Sequence, residues 1–244
     1  MAPRTLQRIN AFNFRPGRII AKKYEIADHL GSGWEGEVYK IIERSTGIIR
    51  AAKLFYPHRN RNDKTARLHA KKLHKLRHCP ILIQYHTREE ITFRRTPITV
   101  LISEYVEGEK LSEFINRQRG GRLPPFQALH LLYALSTGIE PIHHAREYHG
   151  DLHTENIIIK RYGLGFELKV IDFYHWSAPK RENIQSDIID VVRVFYDALG
   201  GAKHYSKQPD YVKNICCGLK HGLILKKFPT ISRLKEHLKS MEWD

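Results

Sequence analysis

Three oxygen-bearing side chains in the middle of the chain could hold a divalent cation and orient a nucleophile. Asp151 and Asn156 lie in His149-Gly150-Asp151-Leu152-His153-Thr154-Glu155-Asn156, and Asp172 in Lys169-Val170-Ile171-Asp172-Phe173. Phosphoryl transfer asks for such a set: one carboxylate to orient or deprotonate the attacking hydroxyl, and hard oxygen ligands to hold magnesium against the phosphates. Upstream, Gly31-Ser32-Gly33-Trp34-Glu35-Gly36-Glu37-Val38 could bring backbone N–H groups close to a phosphate, because glycine reaches conformations denied to other residues. Seventeen residues past Gly36, Lys53 sits in the apolar run Ala51-Ala52-Lys53-Leu54, where it could reach the same phosphates. Each piece has an ordinary alternative: a hairpin turn that binds nothing, an edge-strand surface lysine, an acid that caps a turn. Their occurrence together and in this order favours the phosphate chemistry.

The elements that would position them are legible from spacing. Ile26–Leu30 and Glu37–Glu43 read as a hairpin around the Gly31–Gly36 turn, and Gly47 leads into a third strand over Ile48–Phe55. Strand patterns on both sides of the glycines set this loop apart from a dinucleotide-binding turn, which opens a helix. Asp63 to Arg77 has helical spacing, with Ala66, Ala70, Leu73 and Leu76 near one face. Ile81–His86 and Ile98–Glu104 read as further strands. After Gly108 the texture becomes helical: Leu111–Arg117, then Phe126–Ala145 led in by Pro124-Pro125, and later Ile184–Leu199. Short strands at Asn156–Lys160 and Glu167–Ile171 interrupt it. The pattern predicts an α+β protein of two lobes: a basic N-terminal extension over 1–21, a β-rich lobe over 22–106 and a reduced helical lobe over 107–244.

The 244 residues include 41 Lys and Arg against 26 Asp and Glu, a formal charge of +15, which favours acidic partners and admits nucleic acid among them. Cys79, Cys216 and Cys217 include no CxxC spacing, which argues against a disulfide framework or a zinc site. His58, His69, His74 and His78 likewise lack metal-ligand pairing. The first residues have no apolar signal core, and no apolar run approaches the roughly 20 residues that span a bilayer. The expectation is a cytoplasmic protein with no membrane partner.

From Tyr24 to Leu199 these motifs, taken as a set, resemble the protein kinase superfamily. The resemblance implies a two-lobed fold with ATP in the cleft and Mg2+ as cofactor. It casts Gly31, Gly33 and Gly36 as the phosphate loop and Lys53 as the α/β-phosphate ligand. Val38, Ala51 and Ile158 would sandwich adenine. Glu104-Tyr105-Val106 would form the hinge, with the backbone at Glu104 and Val106 binding adenine and Ser103 as gatekeeper. Asp151 matches the catalytic base, Asn156 and Asp172 the magnesium ligands, and Asp187 the aspartate that braces the catalytic loop.

The sequence departs from the family pattern in four places. The helix glutamate that pairs with the lysine aligns with His69, and no glutamate lies between Pro57 and Arg88. Lys53 must then be anchored otherwise, with Glu35, Glu37 and Asp172 as candidates. Gly150 replaces the arginine that receives a phosphorylated activation loop. His153 replaces the lysine two positions after the catalytic Asp, so His-Gly-Asp-Leu-His with a later Asn looks like the aminoglycoside and choline phosphotransferase branch. Only fifteen residues lead from Asp172 to Asp187, a shortened activation segment, and Ser177-Ala178-Pro179-Lys180 is at most a trace of the usual closing motif.

The leading expectation is an ATP- and magnesium-dependent phosphotransferase acting on protein Ser or Thr. A small-molecule kinase and an ATP-binding pseudokinase that serves as an interaction module are the alternatives. Lys64, Arg67, Lys71 and Lys75 recur at helical spacing; over 64–77 they make either a solvated face or a dock for an acidic partner. Trp34 is expected to be exposed at the loop tip, and Trp176 and Trp243 to pack.

Overall fold

The computed structural model describes residues 8–163, 165–173 and 180–241. The chain divides into two compact units: one built from the chain up to His78 together with Ile83–Val106, the other from Cys79–Leu82 and from Glu107 onward.

The first unit is an antiparallel sheet of six strands: β1 (Ile19–Ile20), β2 (Tyr24–Ser32), β3 (Gly36–Glu43), β4 (Ile49–Phe55), β5 (Tyr85–Phe93) and β6 (Thr96–Glu104), in the order β1-β2-β3-β4-β6-β5. One helix, α1 (Lys64–Lys75), lies between β4 and β5 in sequence. Strand alternation sorts the side chains. Tyr39 and Ile41 of β3, Ala52 and Leu54 of β4 and Val100 and Ile102 of β6 enter one core. Phe55 and Leu101 face the other way and pack with Ala66 of α1. The outer face of α1 holds Lys64, Arg67, Lys71 and Lys75 in solvent. Arg67 turns back onto the carbonyl of Asn62.

Two expectations need correction here. Much of the segment read as an N-terminal extension belongs to the sheet's core: Ile9, Phe12, Phe14 and Ile20 are buried with Tyr39, Leu54 and Tyr56. Phe12 stacks on Tyr56 with centroids 5.4 Å apart, and Phe14 packs edge-on against Phe93 at 5.4 Å. The fully buried Glu37 ties the segment down by accepting from the Phe12 N–H at 2.8 Å and from the hydroxyls of Tyr39 and Tyr56. These apolar residues follow neither a helical nor a strand period, so no pattern marks them. Phe12→Ala is expected to cost about 3–5 kcal/mol through the cavity it leaves, measured by urea unfolding.

The second correction concerns Ile81–His86. The strand begins only at Tyr85, and Ile81 and Leu82 before it belong to the other unit. There Ile81 accepts a hydrogen bond from the Val170 N–H at 2.7 Å. Its side chain fills the space beside Gly138, where an added Cβ would lie 2.2 Å from Ile81 Cδ1.

The second unit carries a three-stranded antiparallel sheet, β7 (Glu109–Lys110), β8 (Ile157–Tyr162) and β9 (Gly165–Val170), and seven described helices. These are α2 (Leu111–Asn116), α3 (Pro125–His144), α4 (Arg181–Ala198), α5 (Ala202–Tyr205), α6 (Asp210–Cys216), α7 (His221–Lys227) and α8 (Ile231–Lys239). Pro125 at the first position of α3 is preorganised for a helix start and forfeits no bonded N–H there. Leu131, Leu132, Leu135, Ile139 and Ile142 make α3 the buried axis, packed by α4, α8 and β9. Among the described residues, the segment after α4 folds into the four short helices α5 to α8. No described helix is long and apolar enough to cross a membrane.

Candidate active site

In the first unit the turn between β2 and β3 is closed by the Gly33 N–H donating to the Gly36 carbonyl at 2.8 Å. Its glycines do different work. An added Cβ at Gly31 or Gly33 would meet nothing within 4 Å, so the backbone there faces open space. At Gly36 it would lie 1.9 Å from the Leu54 carbonyl oxygen, so this glycine lets β3 close on β4. Trp34 is 61% exposed and lies under the guanidinium of Arg59, 3.9 Å from the ring centroid.

Lys53 pairs in register with Val38 and Leu101, and projects from the same sheet face as Val38 and Ala51. Its Nζ lies 2.7 Å from Glu35 Oε2. The other oxygen of Glu35 lies 3.3 Å from His69 Nε2 on α1. Burial pushes the Glu35 carboxyl up, but the hydrogen bond from His69 and the charge of Lys53 outweigh it and hold the pKa at about 2. Of the three acids the sequence offers for Lys53, the structure brings Glu35 to it, while Glu37 is committed to the N-terminal segment. At the end of β6 the Glu104 N–H donates to the Gln84 carbonyl at 2.8 Å, and the Glu104 carboxylate accepts from the Gln84 N–H at 3.0 Å. Val106 follows, half-buried.

In the second unit the loop from His149 to Asn156 is built on a buried carboxylate. Asp187 of α4 has no exposed surface and accepts from the His149 N–H at 2.6 Å, the Gly150 N–H at 2.8 Å and His143 Nε2 at 3.1 Å. The His149 ring then links the loop to the end of β9. Its Nδ1 accepts from the Asp151 N–H at 3.3 Å, so Nε2 carries the proton and donates to the Ile171 carbonyl at 3.1 Å. The Ile171 N–H in turn donates to the Asn156 carbonyl at 2.9 Å.

These ties bring Asp151 and Asn156 together. The Asn156 amide donates to the Asp151 carboxylate at 2.9 Å and to its carbonyl at 3.0 Å. His153 Nε2 stands 3.6 Å from the other Asp151 oxygen. The Asp151 side chain remains 47% exposed. Asp172 follows Ile171 directly, in the left-handed region at φ +54°. Because Asn156 spends its two Nδ2 protons on the carboxylate and carbonyl of Asp151, its Oδ1 is left to act as an acceptor. One amide oxygen and one carboxylate are hard donors that suit magnesium. Ile158, in β8, is half-buried opposite Lys110 and Lys169. Trp176, Trp243, and Ser177-Ala178-Pro179 lie outside the described residues.

Sequence reasoning missed Asp190, one turn beyond Asp187 on α4. Burial, reinforced by the charges of Asp187 and Asp151, pushes its carboxyl up to about 7 against the opposing charge of Arg193. A raised carboxyl pKa favours the protonated folded state, so this stability is full below about pH 4 and lost as pH rises through about 7. Asp190→Asn should remove that loss. At pH 8 its Tm is expected to exceed that of the parent by about 2–4 °C, with the two converging near pH 4; a pH series of thermal melts checks this. The only sequence signal was an acid three residues from Asp187, inside the apolar run Ile188-Ile189-Asp190-Val191-Val192.

Comparison with known proteins adds independent ground. Residues 24–192 match the protein kinase domain family. Cyclin-dependent kinase 15 of Mus musculus is 29% identical over 233 residues, covering 92% of this chain and 50% of its own length. The human serine/threonine-protein kinase Nek11 is 29% identical over 157 residues, covering 62% of this chain and 24% of its own. The chain thus spans half or less of these relatives. Among solved structures, the kinase domain of Mycobacterium tuberculosis PknI, a C20A_R136A double mutant, superposes with a TM-score of 0.69 at 17% identity. That alignment covers 93% of this chain and 98% of PknI's, a likeness of fold. With a family match over most of its length and an α+β two-unit fold shared with a solved kinase domain, the chain belongs to the protein kinase domain family.

Proposed function

We propose that this chain is an ATP- and magnesium-dependent phosphotransferase that acts on serine or threonine residues of proteins. The observation that carries the reading is the assembled catalytic loop: Asp187 fixes the His149 and Gly150 backbone, and Asn156 holds a half-exposed Asp151 carboxylate. ATP with magnesium supplies the transferable phosphoryl group. Asp151 orients the acceptor hydroxyl and takes its proton; Asn156 Oδ1 and the Asp172 carboxylate are the oxygens that hold the metal. Lys53, with the backbone at Gly31 and Gly33, meets the phosphates. Val38, Ala51 and Ile158 offer the apolar contacts for adenine, and the backbone at Glu104 and Val106 its hydrogen bonds. Similarity to cyclin-dependent kinase 15 and Nek11 supports a protein acceptor. The free thiols of Cys79, Cys216 and Cys217 support a cytoplasmic setting.

The test is incubation with γ-labelled ATP, Mg2+ and a mixed protein acceptor, beside Asp151→Ala and Lys53→Ala. Label on serine or threonine, lost in both variants, is the expected result. Label found only on an aminoglycoside or choline would move the acceptor to small molecules, and nucleotide binding without turnover on any acceptor would make the chain a pseudokinase.

A further inference from the structure

We propose that Glu35, on the phosphate loop, is the positioning residue for Lys53, and that His69 is its counterpart on α1. The proposal rests on the phosphotransferase reading above. A lysine is a point charge on a flexible stem, so it delivers its charge to one place only when something holds it there. His69 cannot do this directly, because an imidazole offers Lys53 either a lone pair on a rigid ring or a second positive charge. A carboxylate between them satisfies both. Glu35 gives one oxygen to Lys53 at 2.7 Å and the other to His69 Nε2 at 3.3 Å, with all three side chains largely buried.

The acid is held at both ends. The Glu35 carbonyl accepts from the Tyr56 N–H at 2.9 Å, just past β4, and the neighbouring Trp34 lies against Arg59. His69 is itself seated edge-on to Phe55, centroids 5.8 Å apart, and Lys53 Nζ stands 5.5 Å from the same ring. Loop tip, β4 and α1 are therefore tied through one carboxylate. The consequence is mechanistic: covering the phosphates and aligning the lysine become one event, because the same loop does both.

A different occupant of the same geometry would be a plug, with Glu35 competing against phosphate for Lys53. The two make opposite predictions. For a positioning residue, Glu35→Ala should lower kcat about 100-fold, the cost of a misplaced charge, with no tightening of nucleotide binding. Returning the carboxylate to the helix in the double variant Glu35→Ala/His69→Glu should recover at least about tenfold of that loss, a rescue that a merely structural role would not give. Glu35→Gln, which keeps the volume, controls for folding by its Tm. Kinetics are measured against Asp151→Asn as the zero. Should the parent itself match that zero, the phosphotransferase reading fails, and nucleotide affinity decides the proposal alone: weaker in Glu35→Ala and restored in the double variant. Tighter nucleotide binding or higher kcat/KM in Glu35→Ala, or a folded double variant no better than the single one, overturns it.

Discussion

Asp151→Asn is expected to lower kcat by about 10²–10⁴-fold while leaving the fold and the nucleotide affinity close to those of the parent. The separation follows from what each atom does. The Asp151 side chain is 47% exposed, so removing its charge strands no buried partner. The replacement amide keeps an oxygen for the Asn156 Nδ2, now bonded to Asp151 at 2.9 Å. What it cannot do is accept the proton of the attacking hydroxyl. Phosphoryl transfer passes through a loose transition state that asks little of a base early on, so much of the loss should come from misorientation of the hydroxyl. Lys53→Ala should behave differently and raise KM for ATP as well as lowering kcat, since it removes a phosphate contact. Steady-state kinetics with varied ATP, alongside thermal melts, distinguishes the two. An Asp151→Asn variant with parental kcat would remove Asp151 from the reaction.

The parts of the site that could be read in advance were those whose geometry is local. Gly31–Gly36 and the Asp151–Asn156 loop are encoded within a few residues each, and Asp187 is named by the resemblance to the family, its spacing after Asp172 being shorter than the family's. The hairpin, α1, α3 and α4 followed from periodicity because each buries one regular face. The rest depended on closure in space. Ile9, Phe12 and Phe14 have no periodic partner; they become core only because β3 and β4 present Tyr39, Leu54 and the buried Glu37 to them. Ile81-Leu82 has strand-like composition, yet what it meets, Val170 and Gly138, is distant in the chain. Choosing Glu35 over Glu37 as the partner of Lys53 required knowing which way each side chain leaves β3 and its turn. Strand alternation decides this: Glu37 leaves on the Tyr39 side and Lys53 on the Val38 side.

Asp187→Ala should be the most damaging substitution outside the core. The carboxylate is fully buried, and three donors converge on it from His149, Gly150 and His143. Deleting it leaves two backbone N–H groups and a ring N–H without their acceptor in a dry interior, where each unmet group costs about 1–3 kcal/mol. A total loss of roughly 3–5 kcal/mol is expected in urea unfolding, a large share of the ~5–15 kcal/mol that holds a domain together. Asp187→Asn tests the geometry apart from the stability. Its amide oxygen can accept one or two of these bonds, but its NH2 faces at least one donor, so the variant should fold with a lowered midpoint. Because the His149 ring also positions the Asp151 N–H and the Ile171 carbonyl, a shift of the His149-Gly150 backbone carries to both acids of the site. The folded Asp187→Asn protein should therefore lose at least about tenfold in kcat at temperatures where its unfolded fraction is negligible. Parental kcat in that folded variant would mean that the brace secures the fold and does nothing for the placement of Asp151.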